Sequence, residues 1–176
     1  SGTTSAAIEA INYANMMGIP ITNNSWGGGG YSQALHDAIS ESGLFITAAG
    51  NEGTNDDTYA SYPASFTCSN IISVAATDRY DRLASFSCYG KTSVDIAAPG
   101  VSIYSSVPGS SYEYMSGTSM ATPYVTGAAV LLKEYDPSLS ASEIKAKILN
   151  SADKVSSLKN KVLTGGRLNI NAALAE

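Results

Sequence analysis

Six consecutive residues, Leu44-Phe45-Ile46-Thr47-Ala48-Ala49, are apolar almost throughout and stand between Gly43 and Gly50. A strand that does not alternate apolar with polar has to be covered on both faces, which is the situation of a parallel sheet flanked by helices. The surrounding pattern supplies the helices. Ala7, Ile8, Ile11 and Ala14 recur at three- and four-residue spacing and predict a helix over 5–17 that Gly18 closes. Ile19 to Thr22 reads as a short strand. Leu35, Ala38 and Ile39 share the inner face of a second helix over 32–42. Further strands are predicted over 71–76 and 93–97, with extended pieces over 101–105. A helix runs from Ser119 to Tyr135, and the capping box Ser140-Ala141-Ser142-Glu143 opens another carrying Ile144, Ile148 and Leu149. A last short helix covers 171–175. The order predicts an α/β fold of three layers, a mostly parallel sheet with helices on both faces.

Size and charge narrow the function. The 176 residues make one ordinary domain, and 44% hydrophobic content suffices for one substantial core. The formal charge is −5 and no lysine or arginine run occurs, which argues against nucleic acid or an anionic membrane and leaves a peptide or protein partner open. No apolar stretch approaches the ~18 residues of a membrane span. The start Ser1-Gly2-Thr3-Thr4 lacks the regions of a secretory leader, so any targeting segment is expected upstream or removed. Cys68 and Cys88 are too few for a disulfide framework and wrongly spaced for a CxxC pair or a zinc site; one bridge and two buried thiols both stay open. The polar stretch from Thr54 to Ser69 reads as a long surface loop, with Asp56 and Asp57 on a solvated face.

Chemistry is concentrated in Gly117-Thr118-Ser119-Met120-Ala121-Thr122-Pro123. Gly117 permits a tight turn, and a helix beginning at Ser119 aims free N–H groups and a partial positive charge at its hydroxyl. A developing oxyanion is favoured there. Taken alone, such a helix start reads more readily as Thr118 or Ser119 merely capping the helix. Asn51 follows the buried strand at its carboxyl end, where sites assemble in open α/β sheets, and its amide can donate a hydrogen bond; the bland alternative is a turn asparagine. The segment Ser25-Trp26-Gly27-Gly28 offers an exposed strand edge on which an extended peptide can pair. A phosphate-cradling role for these glycines is set aside because no Gly-Lys-Ser or Gly-Lys-Thr follows.

The heptad with Tyr124-Val125-Thr126-Gly127-Ala128-Ala129 resembles the active-site serine segment of the subtilisin-like serine proteases. Three other segments resemble family motifs in family order: Asn24-Ser25-Trp26-Gly27-Gly28, Ala48-Ala49-Gly50-Asn51-Glu52-Gly53 and Asp95-Ile96-Ala97-Ala98-Pro99-Gly100. Residues 73–78, 84–87 and the ending Gly165-Gly166-Arg167-Leu168-Asn169 are similar as well. The resemblance implies a serine endopeptidase with Ser119 as nucleophile and Asn51 as oxyanion donor, and a substrate cleft that includes Ser25, Trp26, Gly27, Gly28, Ala48 and Gly50. Trp26 stands where the family commonly has a smaller aliphatic residue, so it narrows an apolar subsite or joins the core. Tyr124 replaces a frequent histidine outside the triad.

The resemblance also implies what the chain lacks. Family catalytic domains are longer, and their aspartate and histidine precede the Asn-Ser-Trp-Gly segment. No aspartate occurs before Asp37, and the only histidine, His36, sits outside any family motif on a solvated helix position. A hydrolase elbow of the Ser…Asp…His order is excluded because no histidine follows Ser119. Residues 1–176 are therefore expected to be the carboxyl-terminal part of a subtilisin-like catalytic domain, incomplete on its amino-terminal side and inactive or nearly so alone. Its expected partners are a peptide or protein substrate, the missing amino-terminal part and a propeptide; without them, dimers or swapped elements are expected. The alternative is a non-catalytic peptide-binding pseudoprotease domain. The family places the two cysteine loops near one another; a disulfide there suits a secreted or vesicular protein, and two free thiols suit a cytosolic one. No cofactor is needed for the chemistry; calcium is allowed as a structural ion, with a weaker cation site near Ala64, Phe66 and Asp95.

Overall fold

The structure is a computed structural model and describes residues 2–175. Ser1, the first residue of the start read above, and Glu176 lie outside the described residues. A six-stranded sheet runs in the order β1-β2-β3-β4-β8-β7, built from β1 (Ile21–Asn24), β2 (Leu44–Ala48), β3 (Ile71–Thr77), β4 (Ile96–Pro99), β7 (Asp153–Lys154) and β8 (Gly166–Arg167). Every pairing is parallel except that of β7 with β8. Two further strands, β5 (Ile103–Val107) and β6 (Ser111–Met115), form a separate antiparallel hairpin.

β2 alternates between layers although every residue in it is apolar or Thr47. Phe45 faces a core shared with α1 (Thr4–Met16) and α2 (Gln33–Ser40) through Ile11, Leu35 and Ile39. Leu44 and Ile46 face the opposite core, with Val125, Ala129 and Leu132 of α3 (Thr118–Tyr135) and Ile144 and Ile148 of α4 (Ala141–Asn150). All five β2 side chains are buried, and removing each large one from water contributes about 1.5–3 kcal/mol. A third cluster packs Cys88, Val94, Leu158 and Val162 against Ala75 of β3 and Ala97 of β4, on the face opposite Val74 and Ile96. α5 (Ile170–Ala175) tucks Ala173 under α3 and α4.

The helices follow the residues that predict them. Thr3 and Ser32 cap α1 and α2 through their side chains, and the Ser140–Glu143 capping box forms with both of its bonds. Two predicted strands are displaced toward the carboxyl end. Pro20 has no N–H to give, and its carbonyl instead accepts from Leu44, so regular pairing begins at Ile21. Ser93 donates its N–H and hydroxyl to Asp57, and Asp95 accepts from the Ser73 N–H, so β4 starts only at Ile96. The extended piece at 101–105 is the first half of the β5–β6 hairpin, turned by Gly109 and Ser110 at positive φ.

The loop after β2 is not the solvated face expected of it. Asp56 is 2% exposed, and Ala64, Phe66 and Cys68 are buried. Asp57 accepts five hydrogen bonds from Lys91, Thr92 and Ser93, which tie this loop to the segment before β4.

Candidate active site

β1, β2 and α3 converge at one end of the sheet, and their ends carry the residues singled out by the sequence. Gly100 lets them approach: a Cβ there would lie 2.6 Å from Ala76 Cβ and 2.7 Å from the Gly117 carbonyl, whose own N–H donates to the Gly100 carbonyl at 2.8 Å. This close contact seats the start of α3 against the carboxyl ends of β3 and β4. Ser119 lies in the first turn, where backbone N–H groups have no helical partner.

A proline inside α3 shapes that turn. Pro123 removes the N–H that would bond to the Ser119 carbonyl. The hydroxyl of Ser25, just beyond β1, supplies the missing donor at 2.9 Å. In return Ser119 Oγ donates to the Ser25 carbonyl at 3.2 Å, so the two serines are joined reciprocally.

Asn51 stands three residues past the end of β2 and its orientation is fixed through its oxygen. Asn51 Oδ1 accepts from the Thr118 N–H at 2.9 Å and the Thr118 hydroxyl at 3.0 Å. The Gly50 N–H in turn donates to Thr118 Oγ1 at 3.2 Å. With the oxygen committed, Nδ2 is left as a donor, and it lies 3.6 Å from the place a Gly117 Cβ would take. From the sequence Thr118 reads only as a possible helix cap; its bonds to Asn51 and Gly50 join residues 67 and 68 positions apart.

The remaining candidates surround this pair. Ala48 ends β2, buried, and Gly50 follows at φ +126, a conformation few side chains tolerate. Gly27 and Gly28 are exposed, while Gly29 exchanges backbone hydrogen bonds with Tyr62 at 3.3 Å in both directions. Trp26 is 38% exposed, edge-on to Phe45 at 6.1 Å, and lines a cavity of about 560 Å³ between the start of α1, Leu35, Tyr62 and the glycines, which neither Ser119 nor Asn51 lines; it is a wall rather than core. A second cavity of about 350 Å³ opens beside Ser119, between the β5–β6 hairpin and Met120 and Tyr124 of α3.

His36 is not brought to Ser119. Its Nδ1 lies 3.2 Å from Asp37 Oδ1 and its ring meets Phe66 edge-on at 5.4 Å, so it is half-buried rather than fully solvated. The cysteines are not brought together either. Both are buried free thiols, Cys68 in the α1–α2 core and Cys88 in the cluster with Ala49. The bridge left open by the sequence does not form, and the expected proximity of the two loops does not bring the sulfurs together.

At the expected cation site Lys145 Nζ donates to the Ile71 carbonyl and lies 3.8 Å from Asp95 Oδ1. Asp95 is buried, which pushes its carboxyl upward, and the Lys145 ammonium works against that rise. A positive charge from the chain itself already faces Asp95. No cluster of three or more His, Cys, Asp or Glu poised for a metal occurs among the described residues.

A three-layer α/β sheet with a serine in the first turn of its long helix, beside an asparagine from a neighbouring strand end, is the architecture of subtilisin-like proteins. The chain belongs to the subtilase family, Peptidase S8, whose model matches residues 1–167. It is 46% identical over 160 residues to thermitase of Thermoactinomyces vulgaris, covering 89% of this chain and 54% of thermitase. It is 38% identical over 177 residues to subtilisin Savinase of Lederbergia lenta, covering 98% of this chain and 63% of that protease. Its fold matches the structure of the prenylagaramide maturation protease PagA with a TM-score of 0.85 at 28% identity, over 99% of this chain and 68% of PagA. The chain thus spans little more than half of thermitase.

Proposed function

We propose that residues 1–176 are the carboxyl-terminal part of a subtilase catalytic domain, a serine endopeptidase in which Ser119 is the nucleophile and Asn51 the oxyanion donor. The observation that carries this reading is the bond pattern at Asn51. Thr118 holds its Oδ1, so Nδ2 is free to donate beside the turn that presents Ser119. The base is a histidine supplied by an amino-terminal portion, because the His36 ring packs on α2 against Phe66 while Ser119 Oγ faces Ser25.

In the joined domain that histidine takes the Ser119 proton, displacing the 3.2 Å bond to the Ser25 carbonyl. The freed oxygen attacks the scissile carbonyl, and the proton passes on to the leaving amine. Negative charge on the carbonyl oxygen is met by Asn51 Nδ2 and the Ser119 N–H. Gly27 and Gly28 pair with the extended substrate, and Trp26 narrows the apolar subsite beside them. We assign a secreted or secretory location on the resemblance alone; the two free thiols weigh against it, since they suit a cytosolic protein.

Surfaces left bare support the need for a further portion. β1 is one edge strand of the sheet, and Tyr124, Val130, Leu131 and Tyr135 of α3 are 45–75% exposed. A chain with such an edge and such a helix face associates or swaps unless covered. The test is complementation: the chain is mixed with the amino-terminal portion of its catalytic domain and peptide hydrolysis is followed. Turnover is expected only in the mixture, absent in Ser119→Ala and reduced about 10²–10³-fold in Asn51→Ala. That factor is the one known for the same donor in subtilisin itself, not worked from this geometry. Turnover surviving Ser119→Ala would refute the assignment.

A further inference from the structure

Behind Asn51 lies a buried thiol that the proposed chemistry leaves without a task. Cys88 is fully buried in the cluster with Ala49, Ala75 and Ala97, and its Sγ donates to Glu52 Oε2 at 3.3 Å. The same carboxylate oxygen accepts the Asn51 main-chain N–H at 2.9 Å. Thr54 Oγ1 lies 3.3 Å from Cys88 Sγ on the other side, and the Cys88 N–H donates to the Gly50 carbonyl at 2.9 Å. Glu52 is exposed and would otherwise extend into water, yet it folds back beneath Gly50. A Cβ at Gly50 would lie 2.8 Å from Glu52 Oε2 and 3.0 Å from Cys88 Sγ, so the glycine leaves the space that both groups occupy.

We propose that Cys88 and Glu52 are positioning residues for Asn51: the thiol holds the carboxylate, and the carboxylate holds the main-chain N–H of the oxyanion donor. Asn51 is then fixed at two points. Thr118 fixes the side-chain oxygen and Glu52 the backbone, and between them they set the direction of Nδ2. A donor preorganised in this way needs no reorganisation as charge develops. Burial raises the Cys88 pKa, which keeps the sulfur protonated and able to donate. A charge-assisted bond from a backbone N–H to a carboxylate is about twice as strong as a neutral one, which suits an anchor on an exposed loop. The role in catalysis rests on the oxyanion reading of Asn51; the hydrogen-bond network does not.

Two readouts separate them. Amide hydrogen exchange at Asn51 is measured in the chain as it stands, and kcat and KM are measured in the complemented protease. Glu52→Ala and Cys88→Ala are expected to speed Asn51 exchange about tenfold and to lower kcat about tenfold, with KM within about twofold. Glu52→Gln keeps an acceptor and Cys88→Ser keeps a donor, so both are expected to stay within about twofold of the parent in each readout. Glu52 is exposed, so its variants test the network without disturbing the core. If Asn51→Ala lowers kcat but the two alanine variants change neither exchange nor kcat, the positioning role is overturned and the oxyanion reading stands. If Asn51→Ala leaves kcat unchanged, both fall. A raised KM with unchanged kcat in Glu52→Ala also overturns the proposal, since it marks a substrate contact instead.

Discussion

Asp56 and Asp57 are neighbours in sequence whose protonation equilibria are driven in opposite directions, and the structure states by how much. Asp56 is 2% exposed and neither carboxyl oxygen has a hydrogen-bond partner among the described residues. Burial pushes its pKa from an ordinary 3.8 to about 7, with the charges of Glu52 and Asp57 adding to the rise. Cys88 and Thr54 soften that rise from nearby without a bond of normal geometry. Partial burial also opposes ionisation at Asp57, but the hydrogen bonds from Thr92 and Ser93 outweigh it and bring that carboxyl down to about 2.

The signs follow from which state holds the proton. Asp56 is raised in the folded state, so its contribution is fully present below about pH 4 and is lost as pH rises through 7. At about 1.4 kcal/mol per pH unit the loss is at most about 4 kcal/mol between pH 4 and 8. Asp57 is depressed, so its contribution is present above about pH 4 and lost as pH falls through 2; its exposure keeps that effect small. The perturbation is Asp56→Asn, which removes the ionisation and nearly preserves shape. Carboxyl-carbon NMR should show the two aspartates titrating near pH 7 and near pH 2. Urea unfolding from pH 4 to 8 should show the parent losing stability relative to Asp56→Asn by up to the stated amount. Parallel stability profiles, or both aspartates titrating near pH 4, would refute the reasoning.

Two further outcomes follow from the bonds described. Ser25→Ala leaves the Ser119 carbonyl without a donor and should cost about 1–2 kcal/mol in thermal or urea unfolding; Pro123→Ala in that background restores an N–H at the right place, so the double variant should recover most of the loss. Sedimentation of the chain alone should show dimers or larger species through the bare β1 edge and α3 face, collapsing to one complex when the amino-terminal portion is added; a monodisperse monomer would contradict this.

The layers were legible because β2 has no polar face and the helices repeat Leu35, Ala38, Ile39 and Ile144, Ile148 at helical spacing. Ser119, Asn51 and Ser25 could be named from their motifs, since each sits where a strand or helix ends. What escaped the sequence depended on long-range partners. Asp56 and Asp57 read as a solvated pair because polarity alone does not reveal the Lys91–Ser93 backbone that wraps Asp57 or the core that encloses Asp56. β8 is two residues long and exists only through pairing with β4 and β7, which no local pattern announces. The task of Pro123 was equally hidden, because the donor that replaces its N–H comes from Ser25, 94 residues away from Ser119.

On the proposed function, Ser119 becomes a nucleophile only when a base is supplied from outside this chain. Fluorophosphonate labelling followed by mass mapping of the modified residue tests it most directly. No label is expected on the chain alone, and a single label on Ser119 once the amino-terminal portion is added. Stoichiometric label on Ser119 in the chain alone, or none in the folded complex, would contradict it.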